Sequence, residues 1–399
     1  MKLLHTADWH LGQTFYGYDR RAEHACFLSW LQERIRALQA DVLLIAGDVF
    51  DSPNPPADAQ KMFYQFLRTA TSEHPPLQIV IIAGNHDSAA RLEAPDPLLE
   101  EMHVHIRGTV TRTPDGEIDC ARLLIPLMEN GRTAAWCIAA PYLRQGDYPP
   151  ADSYAGGVGE MYRALYRAIP DKTLPVVALG HLQATGSEIS EHDRSERTLI
   201  GGLECISPDS FLPEIAYTAL GHLHRAQRVS GRDNVRYAGA PLPVSFAERE
   251  YRQGVTLVEL RGGETVIERL DYRPLVELWS IPQTPRPLPD VLDAIDSLPD
   301  GEITPRSPYL EVNVRITEPE PSLRHRVEEA LQNKSVRLAR IAAVTPRQQN
   351  EPEAFTFERL QTIRPLDMAT DVFRRRFGGE EMPDGMRTLL QTVIREAGV

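Results

Sequence analysis

Six short, almost unbroken apolar runs lie between Lys2 and Gly221: KLLHTA, DVLLIAG, LQIVIIAG, AWCIAAP, PVVALG and IAYTALG. A strand with one wet face alternates apolar and polar residues. Runs that are apolar throughout need cover on both faces. Helical patterns sit between the early runs. Phe27, Leu31, Ile35 and Leu38 recur at three-to-four spacing, and Met62, Phe63, Phe66 and Leu67 form a second such stripe. Strands alternating with helices predict an α/β domain.

Polar residues gather where five of these runs end. DWH supplies Asp8 and His10; GDVFD supplies Asp48 and Asp51; GNHD supplies Asn85, His86 and Asp87; GH supplies His181; GHLH supplies His222 and His224. In open α/β sheets, functional groups collect at the carboxyl ends of strands. Residues two apart on extended chain point the same way, which would aim both Asp8 and His10, and both His222 and His224, into one site. Gly47, Gly84, Gly180 and Gly221 stand at the strand exits, where a crowded site needs close backbone approach.

Imidazole mixed with carboxylate suits manganese, iron, zinc or cobalt better than magnesium or calcium alone. These ligands are too many for one ion. Two ions about 3.5–4 Å apart, sharing a carboxylate, are the usual arrangement for phosphate-ester hydrolysis. Singly, each motif has a plainer reading: DxH and GNHD as turns, GH as a core histidine, GHLH as a surface strand. Their conjunction, each straight after an apolar run, points to a dinuclear site. The other histidines take plainer places. His5 lies inside the first strand, His24 on the first helix, and His74, His103, His105, His192 and His325 in loops or on surfaces.

Net charge is −13, which argues against a protein that coats nucleic acid by itself but not against a nucleic-acid enzyme. No apolar run is long enough for a membrane helix, the N-terminal stretch lacks a secretory core, and the four cysteines form no CxxC pair. A cytoplasmic protein with reduced thiols, and no membrane partner, is expected.

Near Tyr272 the pattern changes. PLVELWSIPQTPRPLPD is rich in proline and reads as a boundary. The chain is expected to divide into 1–272, a small α+β unit over 273–345, and a linker with two helices over 346–399. In the small unit, helices are expected near Val291–Leu298 and Leu323–Lys334, and strands at Tyr309–Ile316 and Val336–Val344. The final helices carry apolar faces: Leu366, Val372, Phe373 and Phe377 on one, Met386, Leu389, Leu390, Val393 and Ile394 on the other.

The ordered set D-x-H, G-D-x-x-D, G-N-H-D, G-H, G-H-x-H resembles the calcineurin-like metallophosphoesterase superfamily. HTADWHLGQ, LLIAGDVFDSPNPP, ALGHLHRAQ and YAGAPLPVSFAE resemble, more closely, the SbcD family, nuclease components of bacterial SbcCD exonucleases. Ala240 departs from the serine expected in GSPL, outside the ligand set. The resemblance implies a β-sandwich flanked by helices, a small capping domain, and C-terminal helices that bind a partner. It implies one metal on Asp8, His10, Asp48 and His224, and another on Asp48, Asn85, His181 and His222. His86 would be the catalytic histidine, oriented by Asp51 or by Asp87. It further implies two divalent ions, Mn2+ foremost, and DNA phosphodiester hydrolysis: 3′-to-5′ on duplex ends, endonucleolytic on hairpins and single strands. The implied partner is an SbcC-type coiled-coil ATPase, with a homodimer inside a heterotetramer. ATP would bind that partner, since no GxxxxGK[ST] loop occurs here. The alternatives are a stand-alone phosphatase or small-molecule phosphodiesterase, and a scaffold without catalysis. Candidate DNA contacts are Trp9, Gln13, Tyr16, Arg20, Arg21, Arg91 and the RRRF stretch ending at Phe377.

Overall fold

The computed structural model describes residues 1–185, Ser187, 205–345, Leu366, Thr370, Phe373 and 382–396. The chain divides into two compact units, Met1–Val344 and Thr345–Val399.

Two six-stranded sheets make up most of the first unit. The strands of the first are β1 (Lys2–Thr6), β4 (Val42–Ala46), β5 (Gln78–Ile82), β6 (Val104–Arg107), β13 (Gly254–Arg261) and β14 (Glu264–Asp271), in the order β14-β13-β1-β4-β5-β6. The second contains β7 (Leu124–Glu129), β8 (Arg132–Ala139), β9 (Val176–His181), β10 (Tyr217–Gly221), β11 (Gln227–Val229) and β12 (Arg232–Tyr237), in the order β11-β12-β10-β9-β8-β7. A short hairpin, β2 (Thr14–Phe15) and β3 (Tyr18–Asp19), follows β1. The six apolar runs form the parallel centres of the sheets: β1-β4-β5 in one, β8-β9-β10 in the other. Antiparallel strands such as β13 and β7 extend them at the sides, so both sheets are mixed.

The reason these runs are apolar throughout is now visible. Side chains alternate across a strand. In β1 and β4, Leu3, Val42 and Leu44 enter the core between the sheets, with Cys137, Val177, Leu179 and Tyr217. Leu4, Leu43 and Ile45 face the other way, onto helices α1 (Arg21–Leu38) and α2 (Ala57–Glu73), through Phe27, Leu31, Ile35, Phe63, Phe66 and Leu67. Two small helices, α3 (Ala89–Glu93) and α4 (Asp96–Leu99), lead into β6. Helix α5 (Tyr154–Ala168), capped by the Ser153 hydroxyl accepting from the Gly156 amide, covers the outer face of the second sheet. The result is a helix–sheet–sheet–helix sandwich in which the central strands of each sheet are covered on both faces.

The proline-rich stretch is not merely a boundary. It contains β15 (Leu278–Arg286), an edge strand that pairs in parallel with β16 (Tyr309–Arg315), which pairs in turn with β17 (Arg337–Val344). The pairing of β15 is broken between Ile281 and Arg286, and proline is tolerated at such an edge because no ladder donor is required of it. Helices α6 (Leu288–Asp296) and α7 (Leu323–Ala330) cover this sheet around Val291, Ile295, Val312 and Val327. Of the expected C-terminal helices, α8 (Asp384–Glu396) is described; Val372 and Phe377 lie outside the described residues. Among the described residues, no helix is long and apolar enough to cross a membrane.

Candidate metal centre

The polar motifs meet at the ends of β1, β4, β5, β9 and β10. The reason differs from the expected alternation along extended chain. β1 ends at Thr6 and β10 at Gly221, before the site residues begin. Asp8 (φ 54°), His10 (φ 46°), Asp48 (φ 49°) and His222 (φ 101°) all take the left-handed conformation. Such backbone is rare outside glycine and costs on the order of 1–3 kcal/mol per residue, so the surrounding hydrogen bonds must impose it. They do: the amides of Asp8 and His10 donate to the Gly47 and Asp48 carbonyls, locking the first two loops together. Gly84 and Gly221 allow the remaining close approach. A Cβ on Gly84 would strike the Asp48 carboxylate, and one on Gly221 the Ala46 carbonyl.

Each central carboxylate is held by one oxygen. Asp8 Oδ1 accepts from the His222 amide at 2.9 Å, and Asp48 Oδ1 accepts from the His86 amide at 2.9 Å. Their Oδ2 atoms are buried and, among the described residues, have no hydrogen-bond partner. An ionised oxygen in that state is costly unless a cation satisfies it. Asp48 Oδ2 stands 3.3 Å from His181 Nε2 and 4.0 Å from His10 Nε2, between two groups of imidazoles.

The histidines are oriented by their second nitrogens. His181 Nδ1 lies 2.9 Å from the Ala46 carbonyl, which can only accept, so Nδ1 carries the proton and Nε2 faces Asn85 Oδ1 at 2.9 Å. His222 Nδ1 lies 3.1 Å from the same Asn85 oxygen. On the other side, His10 Nε2 and His224 Nε2 are 3.2 Å apart. His224 Nδ1 is 3.1 Å from Glu248 Oε1, and His10 Nδ1 is 3.5 Å from Asp51 Oδ1. The Glu248 contact turns the His224 Nε2 lone pair toward His10 Nε2, an arrangement that suits a cation between the two rings. Asp8, His10 and His224 form one set of donors that could hold an ion, Asp8, Asp48 and His181 another, and His10, Asp48 and His86 a third.

The electrostatics show the same demand for positive charge. Burial lifts the Asp8 carboxyl to about 6. Burial would raise Asp48 too, but His181, with His10 and His86, holds it well below the carboxylate range. His181 is pulled up to about 10 by the Asp48 and Asp8 carboxylates, against its own burial. The donor set therefore fits divalent metal.

His86 presents itself differently. Its Nδ1 donates to the main-chain carbonyl of Asp51 at 2.9 Å, not to a carboxylate. Asp87 does not orient it either: that carboxylate accepts from the amides of Val49, Phe50 and Gly84, tying the second loop to the third. Two suggested DNA contacts are absorbed by the fold. Trp9 is buried and donates to Thr6, and Arg20 is buried in an ion pair with Glu23. Arg21 and Arg91 remain exposed, and Tyr16 is 43% exposed. Sequence reasoning missed Glu248. Within FAERE its alternation with Glu250 reads as surface charge, and only packing buries the first and exposes the second. His74 lies in the bend after α2, as expected, but is buried against the Ala40 carbonyl, whereas His105 lies in β6 rather than in a loop.

With this geometry in hand, known proteins place the chain. The pattern of the calcineurin-like phosphoesterases matches residues 1–226, and that described as the type 5 capsule protein repressor C-terminal domain matches residues 274–380. The SbcD component of the SbcCD nuclease of Rhodobacter capsulatus is 41% identical, over 87% of this chain and 88% of that protein. Its counterpart in Escherichia coli K12 is 29% identical over 98% of this chain and 96% of that protein, and the Bacillus subtilis one 34% identical over 66% and 67%. The chain belongs to the calcineurin-like phosphoesterases and, among these, to the SbcD family. It is a metal-dependent phosphodiesterase.

Proposed function

We propose that this chain is the nuclease component of an SbcCD-type complex and hydrolyses DNA phosphodiester bonds with two divalent ions. One observation carries the reading: Asp48 Oδ2, without a hydrogen bond among the described residues, lies 3.3 Å from His181 Nε2 and 4.0 Å from His10 Nε2, so its carboxylate could serve ions on both sides. Asp8, His10, Asp48 and His224 would hold one ion, and Asp48, Asn85, His181 and His222 the other. The mix of imidazole and carboxylate favours manganese. When bound, such ions supply charge for the phosphoryl oxygens and activate the attacking water. The chain's own part falls to His86. With Nδ1 committed to Asp51, its Nε2 is the atom available to the phosphate or to the leaving sugar oxygen, as a charge stabiliser or proton donor. The Asp51 carboxylate supports His10.

The substrate modes are those of the family: 3′-to-5′ degradation of duplex ends, and nicking of hairpins and single strands. Residues 273–345 form the cap over the nuclease domain 1–272, and residues 346–399 carry the docking helices. The partner is an SbcC-type ATPase, which the names of the relatives imply. Exposed Met386 and Leu389 on α8, at 52% and 66%, support a docking role for that helix. A homodimer within a heterotetramer, in the cytoplasm and at the nucleoid, completes the proposal.

The test is calorimetric titration of the full chain with Mn2+, followed by end-labelled linear duplex, hairpin DNA and bis-p-nitrophenyl phosphate, with and without the ATPase. Two equivalents and DNA cleavage are expected. One weak equivalent, or phosphate-ester turnover without DNA cleavage, overturns the proposal.

A further inference from the structure

We propose that Glu248 is a positioning residue that sets His224 for metal binding, and that the junction with the small three-stranded layer holds Glu248 in place. The inference rests on the two-ion reading above and assigns a function to residues outside the ligand set.

Glu248 is 1% exposed. A carboxylate so deeply buried needs donors. Its Oε2 accepts from the Val244 amide at 2.8 Å, and its Oε1 faces His224 Nδ1 at 3.1 Å. A carboxylate accepts only, so this contact puts the His224 proton on Nδ1 and keeps Nε2 basic, turned toward His10 and Asp8. Without it Nδ1 loses the acceptor that sets the tautomer of the ring.

The segment that carries Glu248 is gripped twice. Arg20 donates to the Pro243 carbonyl at 2.7 Å while paired with Glu23 at 2.9 Å. Phe246, 2% exposed, packs against Phe15 at 5.3 Å between ring centres. Both grips converge on Tyr309 of β16. Its ring lies 4.7 Å from that of Phe15, and its hydroxyl donates to Glu23 Oε1 at 2.8 Å. The Arg337 guanidinium lies over the Tyr309 ring, 3.9 Å from its centre. A residue of the small layer thus supports, through two short routes, the loop that orients a metal-binding imidazole.

The test is Mn2+ stoichiometry and affinity of the full chain by calorimetry, with the visible spectrum of the Co2+-loaded protein and a melting curve as second readouts. Wild type is expected to take two equivalents. Glu248→Ala should weaken one of them about 10- to 100-fold, the range for losing the partner of a ligating histidine, and leave the other unchanged. Glu248→Gln, which retains an acceptor oxygen, should recover much of that loss. Tyr309→Ala should weaken the same equivalent several-fold and change the Co2+ spectrum in the same direction as Glu248→Ala, with Tyr309→Phe between it and wild type. Wild-type affinity for both equivalents in folded Glu248→Ala overturns the inference, as does equal loss of both in Glu248→Gln. If Glu248→Ala does not fold, Glu248→Gln and Tyr309→Phe decide. A wild type with a single equivalent would overturn the two-ion reading instead; the effect of Glu248→Gln on that one equivalent would still decide whether Glu248 positions His224.

Discussion

His86 makes two separate contacts, one through its ring and one through its main chain. Nδ1 is bonded to the Asp51 carbonyl, and the main-chain amide of the same residue holds Asp48. Truncating the ring therefore leaves the amide that anchors the Asp48 carboxylate. His86→Ala should keep both ions and lose at least 100-fold in phosphodiester hydrolysis, about the usual scale for lost acid or charge-stabilising help. Parallel measurement of bound manganese and turnover checks this; loss of an ion would place His86 among the ligands. Asp8 and Asp48 follow one scheme, in which a main-chain amide from a distant motif fixes Oδ1 and leaves Oδ2 toward the centre. The motifs are thus mutually dependent: GHLH helps shape the first loop, and GNHD the second.

Among the elements, the central strands were legible because nothing else explains runs such as VLLIA. The helices α1 and α2 were legible from stripes that do pack on the first sheet. β15 escaped because its prolines argue for a break, and only an edge position makes them compatible with pairing. The antiparallel β14 escaped because it is only partly covered and reads as polar. At the C-terminus, α8 exposes Met386 and Leu389 on a helix that mixes polar and apolar residues. Met386→Asp with Leu389→Asp should abolish co-purification with the ATPase. Hydrolysis of bis-p-nitrophenyl phosphate by the isolated chain should stay within about twofold, since both residues are far in sequence from every proposed ligand. An intact complex would remove α8 from the docking surface.

For the molecule as a whole, burial of neutral histidines ties stability to pH. His5 and His24, both almost fully buried, are pushed down to about 3, first by burial and then by Arg269 and Arg20 respectively. In the unfolded chain each titrates near 6.5. Between those values the unfolded state binds more protons, so the contribution of these two histidines is constant above about pH 6.5 and turns against folding as pH drops toward 3. At about pH 5 the loss is about 2 kcal/mol per histidine. Urea unfolding in chelator at about pH 7.5 and about pH 5 should show His24→Gln losing about 2 kcal/mol less than wild type over that interval. Equal losses would mean that His24 is protonated in the folded state.

What the sequence determined by itself was the chemistry and its order. Apolar runs ending in Asp, Asn and His specify covered strands with a polar rim, and the spacing within each motif is local information. Tertiary structure decided what depends on neighbours distant along the chain. The left-handed backbone at Asp8, His10, Asp48 and His222 is imposed by bonds between loops, not by those residues' own preferences. The roles of Asp51, Asp87 and Glu248 turn on which oxygen meets which partner, and burial of Glu248 beside an exposed Glu250 follows from aromatic packing against Tyr309 of β16, far along the chain. Periodicity reports which face of an element is covered; it carries no information about which side chain of another element arrives there.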